Sequence, residues 1–199
     1  MKGNKMGRNL RTIVVCHGKS EVRIVENLRR NLKIPIAILS EKNGKNSIQI
    51  GKSLDRFLHK KLNKKKAVND LGIIEYDKKG QPLDLKIFIL MDLDDVQEHQ
   101  MIENYKNGTL FSKHKFSNLI IPLYNDGNLE EVMLRMGYDT PNDKREKVMV
   151  YDRLFSAQNI SENLTSIEKF MEDCKKCKQT NMELLLQHVI EHAKSVGNF

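Results

Sequence analysis

The chain has 199 residues, enough for one well-buried α/β domain with an appendage or for two small domains. A hydrophobic content of 39% and a charged content of 30% describe a soluble globular protein, and no apolar run approaches the roughly 20 residues that span a bilayer. Net charge is +8 with a pI near 9.3, which suits a polyanionic partner. Three cysteines, an odd number, argue against a disulfide framework.

In chain order, residues 1–11 are basic and lead into a strand instead of a signal-peptide core, so a cytoplasmic protein with no membrane partner is expected. Thr12–Cys16 reads as the first strand, followed by a tight turn at His17-Gly18-Lys19-Ser20. A helix is predicted over Ser20–Lys33 from the 3.6-residue period of Val22, Ile24, Val25, Leu28 and Leu32. Pro35–Leu39 is a second strand, the loop Glu41–Asn46 follows, and Ser47–Leu62 is predicted as one helix. Ile73 and Ile74 add a short strand or hairpin bounded by Asp77–Gly80. Leu85–Met91 is the third main strand, with a helix over Val96–Lys106 that Asp95 can cap. Asn118–Leu123 is the fourth strand, and its turn Tyr124–Gly127 opens a helix capped by Asn128. Beyond Pro141 only helices are expected, over Asp143–Phe155, Ser161–Lys176 and Thr180–Ser195. The alternation predicts a mostly parallel four-stranded sheet flanked by helices over residues 11–136, with an all-helical C-terminal extension over 137–199.

The chemistry concentrates where strands end. Ile87-Phe-Ile-Leu-Met91 is an apolar run suited to a strand buried on both faces, and it stops at Asp92-Leu-Asp-Asp95. Side chains alternate along a strand, so Asp92 and Asp94 leave the same side near its C-terminal end, where open α/β sheets bind ligands. Two neighbouring carboxylates repel, and a hard divalent cation such as Mg²⁺ cancels the repulsion. The plainer alternative is that acidic residues after a strand form turns and cap helices. In Val14–Glu21, Gly18 permits the turn, the helix start offers N–H groups to an anion, Lys19 can neutralise a phosphate oxygen and His17 can move protons. Glu21 sits in the first helical turn, where the dipole favours a carboxylate with or without a ligand. Glu130 and Glu131 occupy the equivalent turn after the fourth strand.

The order strand–GKSE–helix, strand–DLDD, strand–NxxNLEE–helix, running from about Arg11 to Met136, resembles the Toprim domain of topoisomerases, primases, OLD-type nucleases and small RNA-processing nucleases. It is most similar to stand-alone bacterial Toprim-like proteins of phage defence. The resemblance implies a nuclease that cuts DNA or RNA with Mg²⁺ or Mn²⁺. In that reading Asp92, Asp94 and Glu130 (with Glu131 as the alternative) ligate metal, Glu21 ligates metal or orients water, Lys19 holds the phosphate and His17 shuttles a proton. One departure stands out: the family usually has glutamate directly before its glycine, where this chain has His17. The alternative reading is therefore a non-catalytic nucleic-acid-binding or regulatory module. A homodimer or protein partner engaging the helical C-terminal region is also compatible with the sequence.

Three further signals carry less weight. Gly44–Ser53 has six residues between its glycines where a P-loop has four. The Asp92-x-Asp94 pair could suggest a haloacid-dehalogenase-type phosphotransferase, but that motif belongs on the first strand, and here at least two strand–helix units precede it. Cys174-x-x-Cys177 with His188 and His192 has zinc-like order, but the intervening gap is short and the hairpin of a zinc finger is missing, so helical packing is the favoured reading.

Overall fold

A computed structural model describes residues 9–140, 146, 150, 151, 153–155 and 160–197. Four parallel strands form one sheet in the order β2-β1-β3-β4: β1 Thr12–Cys16, β2 Ile36–Leu39, β3 Lys86–Asp92 and β4 Ile120–Asn125. β1 pairs with β3 from Thr12↔Lys86 to Cys16↔Leu90, and β3 pairs with β4 from Ile87↔Ile120 to Asp92↔Asn125. The chain moves outward from β1 to β2, then returns across β1 to place β3 on its other side. The C-terminal edge between β1 and β3 is therefore a topological switch point, where helices diverge and leave a crevice.

The central strands are apolar throughout because both faces are covered. Val14, Cys16, Phe88 and Leu90 point to one face, under α1 (Lys19–Leu32), α5 (Leu129–Arg135), α6 (Ile160–Lys176) and α7 (Glu183–Ser195). Ile13, Val15, Ile87, Ile89 and Met91 point to the other, under α2 (Lys52–Leu62), α3 (Lys65–Asn69) and α4 (His99–Lys106). α1 buries Val22, Ile24, Val25, Leu28 and Leu32, the periodic residues of its sequence. Each such side chain contributes roughly 1.5–3 kcal/mol of hydrophobic stabilisation. α6 and α7 bring Phe170, Leu185, Leu186 and Val189 into the layer that covers Val14 and Phe88, so the C-terminal helices form part of the roof of the sheet. Among the described residues no helix is long and apolar enough to cross a membrane.

The structure corrects several boundaries. The helix predicted from Ser47 begins at Lys52, because Ile48 donates its N–H to the His17 carbonyl at 2.9 Å and Gly51 turns the chain at φ 103°. Asp95 caps nothing: α4 begins at His99 after Glu98, three residues later than the apolar pattern from Val96 suggests. β4 is shifted towards Asn125, since Leu119 lies in a 3₁₀ turn and Tyr124 and Asn125 continue the ladder with β3. Ile73 makes only an isolated parallel bridge to Asn9, and Tyr76 an antiparallel one to Pro82. The last helix starts at Glu183, not Thr180, because the segment before it pairs with β4. Most of the helix predicted over Asp143–Phe155 lies outside the described residues.

Candidate functional site

The first strand–helix junction is built to hold Glu21 inward. Gly18 precedes α1 in an extended conformation, and its N–H donates to Glu21 Oε2 at 2.8 Å, closing the first turn on itself. The loop after β2 then clamps the turn from above. Gly44, at φ 77°, approaches so closely that a Cβ there would lie 2.8 Å from Lys19 Cα and 2.9 Å from the Gly18 carbonyl oxygen, so only glycine fits. Two residues earlier than the main clamp, His17 donates Nδ1–H to the Ile48 carbonyl at 2.9 Å, since a carbonyl can only accept. That bond fixes the ring and leaves Nε2 for other chemistry. His17 is buried, at 8% exposure.

The second element is the end of β3. Asp92 is the last residue of the strand and is buried, whereas Asp94 is exposed. Asn125, its register partner on β4, donates Nδ2–H to Asp92 Oδ1 at 2.9 Å and accepts from the Thr180 hydroxyl at 3.1 Å. Thr180 is held in turn by the Met182 N–H, and the Asp126 backbone N–H donates to the Gln179 carbonyl at 2.7 Å. Asn181 completes the seam: its side-chain amide accepts from Tyr124 N–H and donates to the Pro122 carbonyl. The segment before α7 therefore covers the exposed edge of β4 and fixes the amide that positions Asp92. Asn125→Ala strands the Thr180 hydroxyl and removes a donor from Asp92. We expect it to cost about 1–3 kcal/mol in denaturant unfolding and to push the Asp92 pKa further up.

The third element is the start of α5. Asn128 Oδ1 accepts the Glu131 N–H at 3.0 Å, the predicted cap. Glu130 Oε1 accepts from the Ser20 hydroxyl at 3.0 Å and from the Tyr151 hydroxyl at 3.2 Å. Ser20 thus ties the α1 and α5 starts together, and Glu130, not the exposed Glu131, is the glutamate that faces Glu21.

The electrostatics follow from this convergence. The Glu21 pKa is pushed up to about 8, first by burial, then by the Asp92 charge, with Glu130 adding to it; N–H donors from Gly18 and its own backbone only partly oppose the rise. Asp92 is pushed up to about 6, again by burial foremost. The Asn125 hydrogen bond, the charge of His17 and the Leu129 N–H at the start of α5 oppose the shift, and Asp94 adds to it. Tyr151 is raised by burial and by Glu130. Buried carboxylates that hold one another in the neutral form at one sheet edge are what a divalent cation would relieve.

Among the sequence candidates, His17, Glu21, Asp92 and Glu130 meet at the switch-point edge, and Asp94 lies exposed beside Asp92. Lys19 is exposed and lines a groove along α1 with Arg23 and Arg29. Among the described residues no group of three or more His, Cys, Asp or Glu side chains is arranged so that it could hold a metal ion. The lysine cluster Lys60–Lys66 sits far from the carboxylates: α2 runs away from the C-terminal edge, and the Asn9↔Ile73 bridge fixes the following segment beside the start of β1. The zinc-like quartet is also divided. Cys174 and Cys177 lie near Gln179 at the C-terminal end of β4, whereas His188 Nε2 hydrogen-bonds the Arg11 carbonyl at 3.0 Å at the opposite edge, with His192 in the same cavity as Arg11 and Lys86. Asn125, Thr180, Ser20 and Tyr151 are the site residues that sequence reasoning missed. Asn125 carried a faint signal, a polar residue at a strand end opposite Asp92, and Thr180 carried none. Comparison of the chain with protein-family models, with curated proteins and with solved structures finds no match.

Proposed function

We propose that the protein is a Toprim-like, Mg²⁺- or Mn²⁺-dependent nuclease that hydrolyses phosphodiester bonds of DNA or RNA. The observation that carries this reading is the meeting of Glu21, Asp92 and Glu130 at the switch-point edge, with the first two held towards their neutral forms by burial and by charge. The donor set fits the ion in kind, because hard divalent cations take carboxylate oxygens. Among the described residues no three His, Cys, Asp or Glu side chains are arranged to hold a metal ion by themselves, so the fit rests on Mg²⁺ being commonly held by one or two carboxylates together with waters and substrate phosphate oxygens.

Glu21, Asp92 and Glu130 would supply the carboxylates for the cation, with Asp94 at the solvent side. When bound, the ion lowers the pKa of an attached water and offsets the charge that develops on the phosphate. Asn125 keeps Asp92 Oδ1 in a single orientation, and Ser20 does the same for Glu130 Oε1. His17, tethered through Nδ1, presents Nε2 to take a proton from the attacking water or return one to the departing oxygen. Lys19, exposed as the first residue of α1, would neutralise the scissile phosphate.

A second reading, a nucleic-acid-binding module without turnover, draws on His17 standing where the family carries glutamate. Cleavage of labelled single- and double-stranded DNA and RNA with Mg²⁺, with Mn²⁺ and with chelator separates the two. Metal-dependent products favour the nuclease. Salt-sensitive binding without products in any metal favours the binding module.

A further inference from the structure

The densest run of lysines in the chain, Lys60–Lys66, lies at the edge of the sheet away from the carboxylates. Another basic surface begins at the site itself. A groove of about 310 Å³ runs along the outer flank of α1 beside the end of β2, lined by Lys19, Arg23, Glu26, Arg29, Ser40 and Asn43. Lys19 belongs to the turn that carries Glu21, and Lys42 and Lys45 stand exposed on the loop clamped over that turn. Along α1, Lys19 to Arg29 covers about 15 Å at the rise of a helix.

Resting on the nuclease reading above, we infer that this groove carries the sugar–phosphate backbone of one nucleic-acid strand leading away from the carboxylate site, and that the lysine cluster Lys60–Lys66 does not. Arg23 and Arg29 are its phosphate contacts. Arg23 already pairs with Glu26 at 3.3 Å, with both side chains partly solvated at 38% and 41%, so exchanging that partner for a phosphate costs little. Arg29 is exposed in the last turn of α1.

The test is binding of a labelled single-stranded oligonucleotide to the full-length protein, in chelator, across a salt series. Three proteins are compared: wild type, Arg23→Ala/Arg29→Ala and Lys64→Ala/Lys65→Ala/Lys66→Ala. We expect the arginine variant to bind about 10-fold more weakly, with its salt slope reduced by about 1.4, two phosphate contacts on a single strand. The lysine variant is expected to stay within about two-fold of wild type. Arg29→Gln, a change at an exposed side chain, gives the same sign of effect should the double variant fold poorly. An arginine variant that binds as wild type does, or a lysine variant that loses as much affinity, overturns the groove while leaving the nuclease reading standing. Tighter association of wild type with phosphatidylserine vesicles than with the oligonucleotide overturns it as well. A wild type that neither binds nor cuts any nucleic acid removes the functional reading and the groove together.

Discussion

If the proposed function holds, Asp92→Ala is expected to lower metal-dependent cleavage by about 10³-fold and to leave the fold intact. The carboxylate stands at the centre of the site, between Asn125 on one side and the Glu21 charge on the other. An ion held there would supply several kcal/mol to the transition state, and each 1.36 kcal/mol is worth about tenfold in rate. Stability changes far less, because the lost hydrogen bond from Asn125 is offset by removal of a carboxylate whose burial is itself unfavourable. Cleavage rates at saturating metal, with circular dichroism melts of both proteins, check the pair of expectations. Metal-dependent cutting retained by Asp92→Ala would remove Asp92 from the site.

Without metal, the protein loses stability as pH rises through neutrality. The folded state holds the Glu21 proton up to about pH 8, whereas an unfolded chain releases it near 4.5. Between those values the native state binds more protons than the unfolded state, so stability is fully present below about 4.5 and declines towards 8. Asp92 adds a decline of the same sign between 3.8 and about 6. The limiting slope is about 1.4 kcal/mol per pH unit for one group. Glu21→Gln keeps an oxygen for the Gly18 N–H and removes the charge. It should therefore melt higher than wild type at pH 8 by about 5–10 °C and show a flatter profile from pH 5 to 8. If the site takes Mg²⁺, the added ion is expected to restore the wild type at pH 8 and to do little for the variant, because a cation that binds the native carboxylates stabilises by mass action. Parallel pH profiles for the two proteins would contradict the coupling of Glu21 to Asp92 and Glu130.

How much of this was legible in the sequence depends on the range of each interaction. Thr12–Cys16 matches β1 end to end, because an unbroken apolar run bounded by a basic segment and a His-Gly turn has one reading. α1 and the burial of Ile87–Met91 on both faces were equally plain. The clustering of acidic groups on one sheet edge followed from strand alternation and helix starts, and His17, Glu21, Asp92 and Glu130 do come together there. The false start of α2 has a long-range cause. Ile50 and Leu54 stand four residues apart, as on a helix face, but the Ile48 N–H is taken by the carbonyl of His17, thirty-one residues away in sequence. Thr180 reaches Asn125 across 55 residues, and no local pattern encodes that. Conversely, Cys174 and His188 share a suggestive spacing, yet the length of the sheet separates the regions they pack against.

The central claim, that Glu21, Asp92 and Glu130 form a divalent-metal site, is tested most directly by calorimetric titration of Mn²⁺ into the protein at pH 7 in two buffers of different ionisation enthalpy. One ion should bind with release of about one proton, chiefly from Glu21, and binding should vanish in Asp92→Ala. Absence of binding by the wild type, or equal binding by Asp92→Ala, would contradict the account.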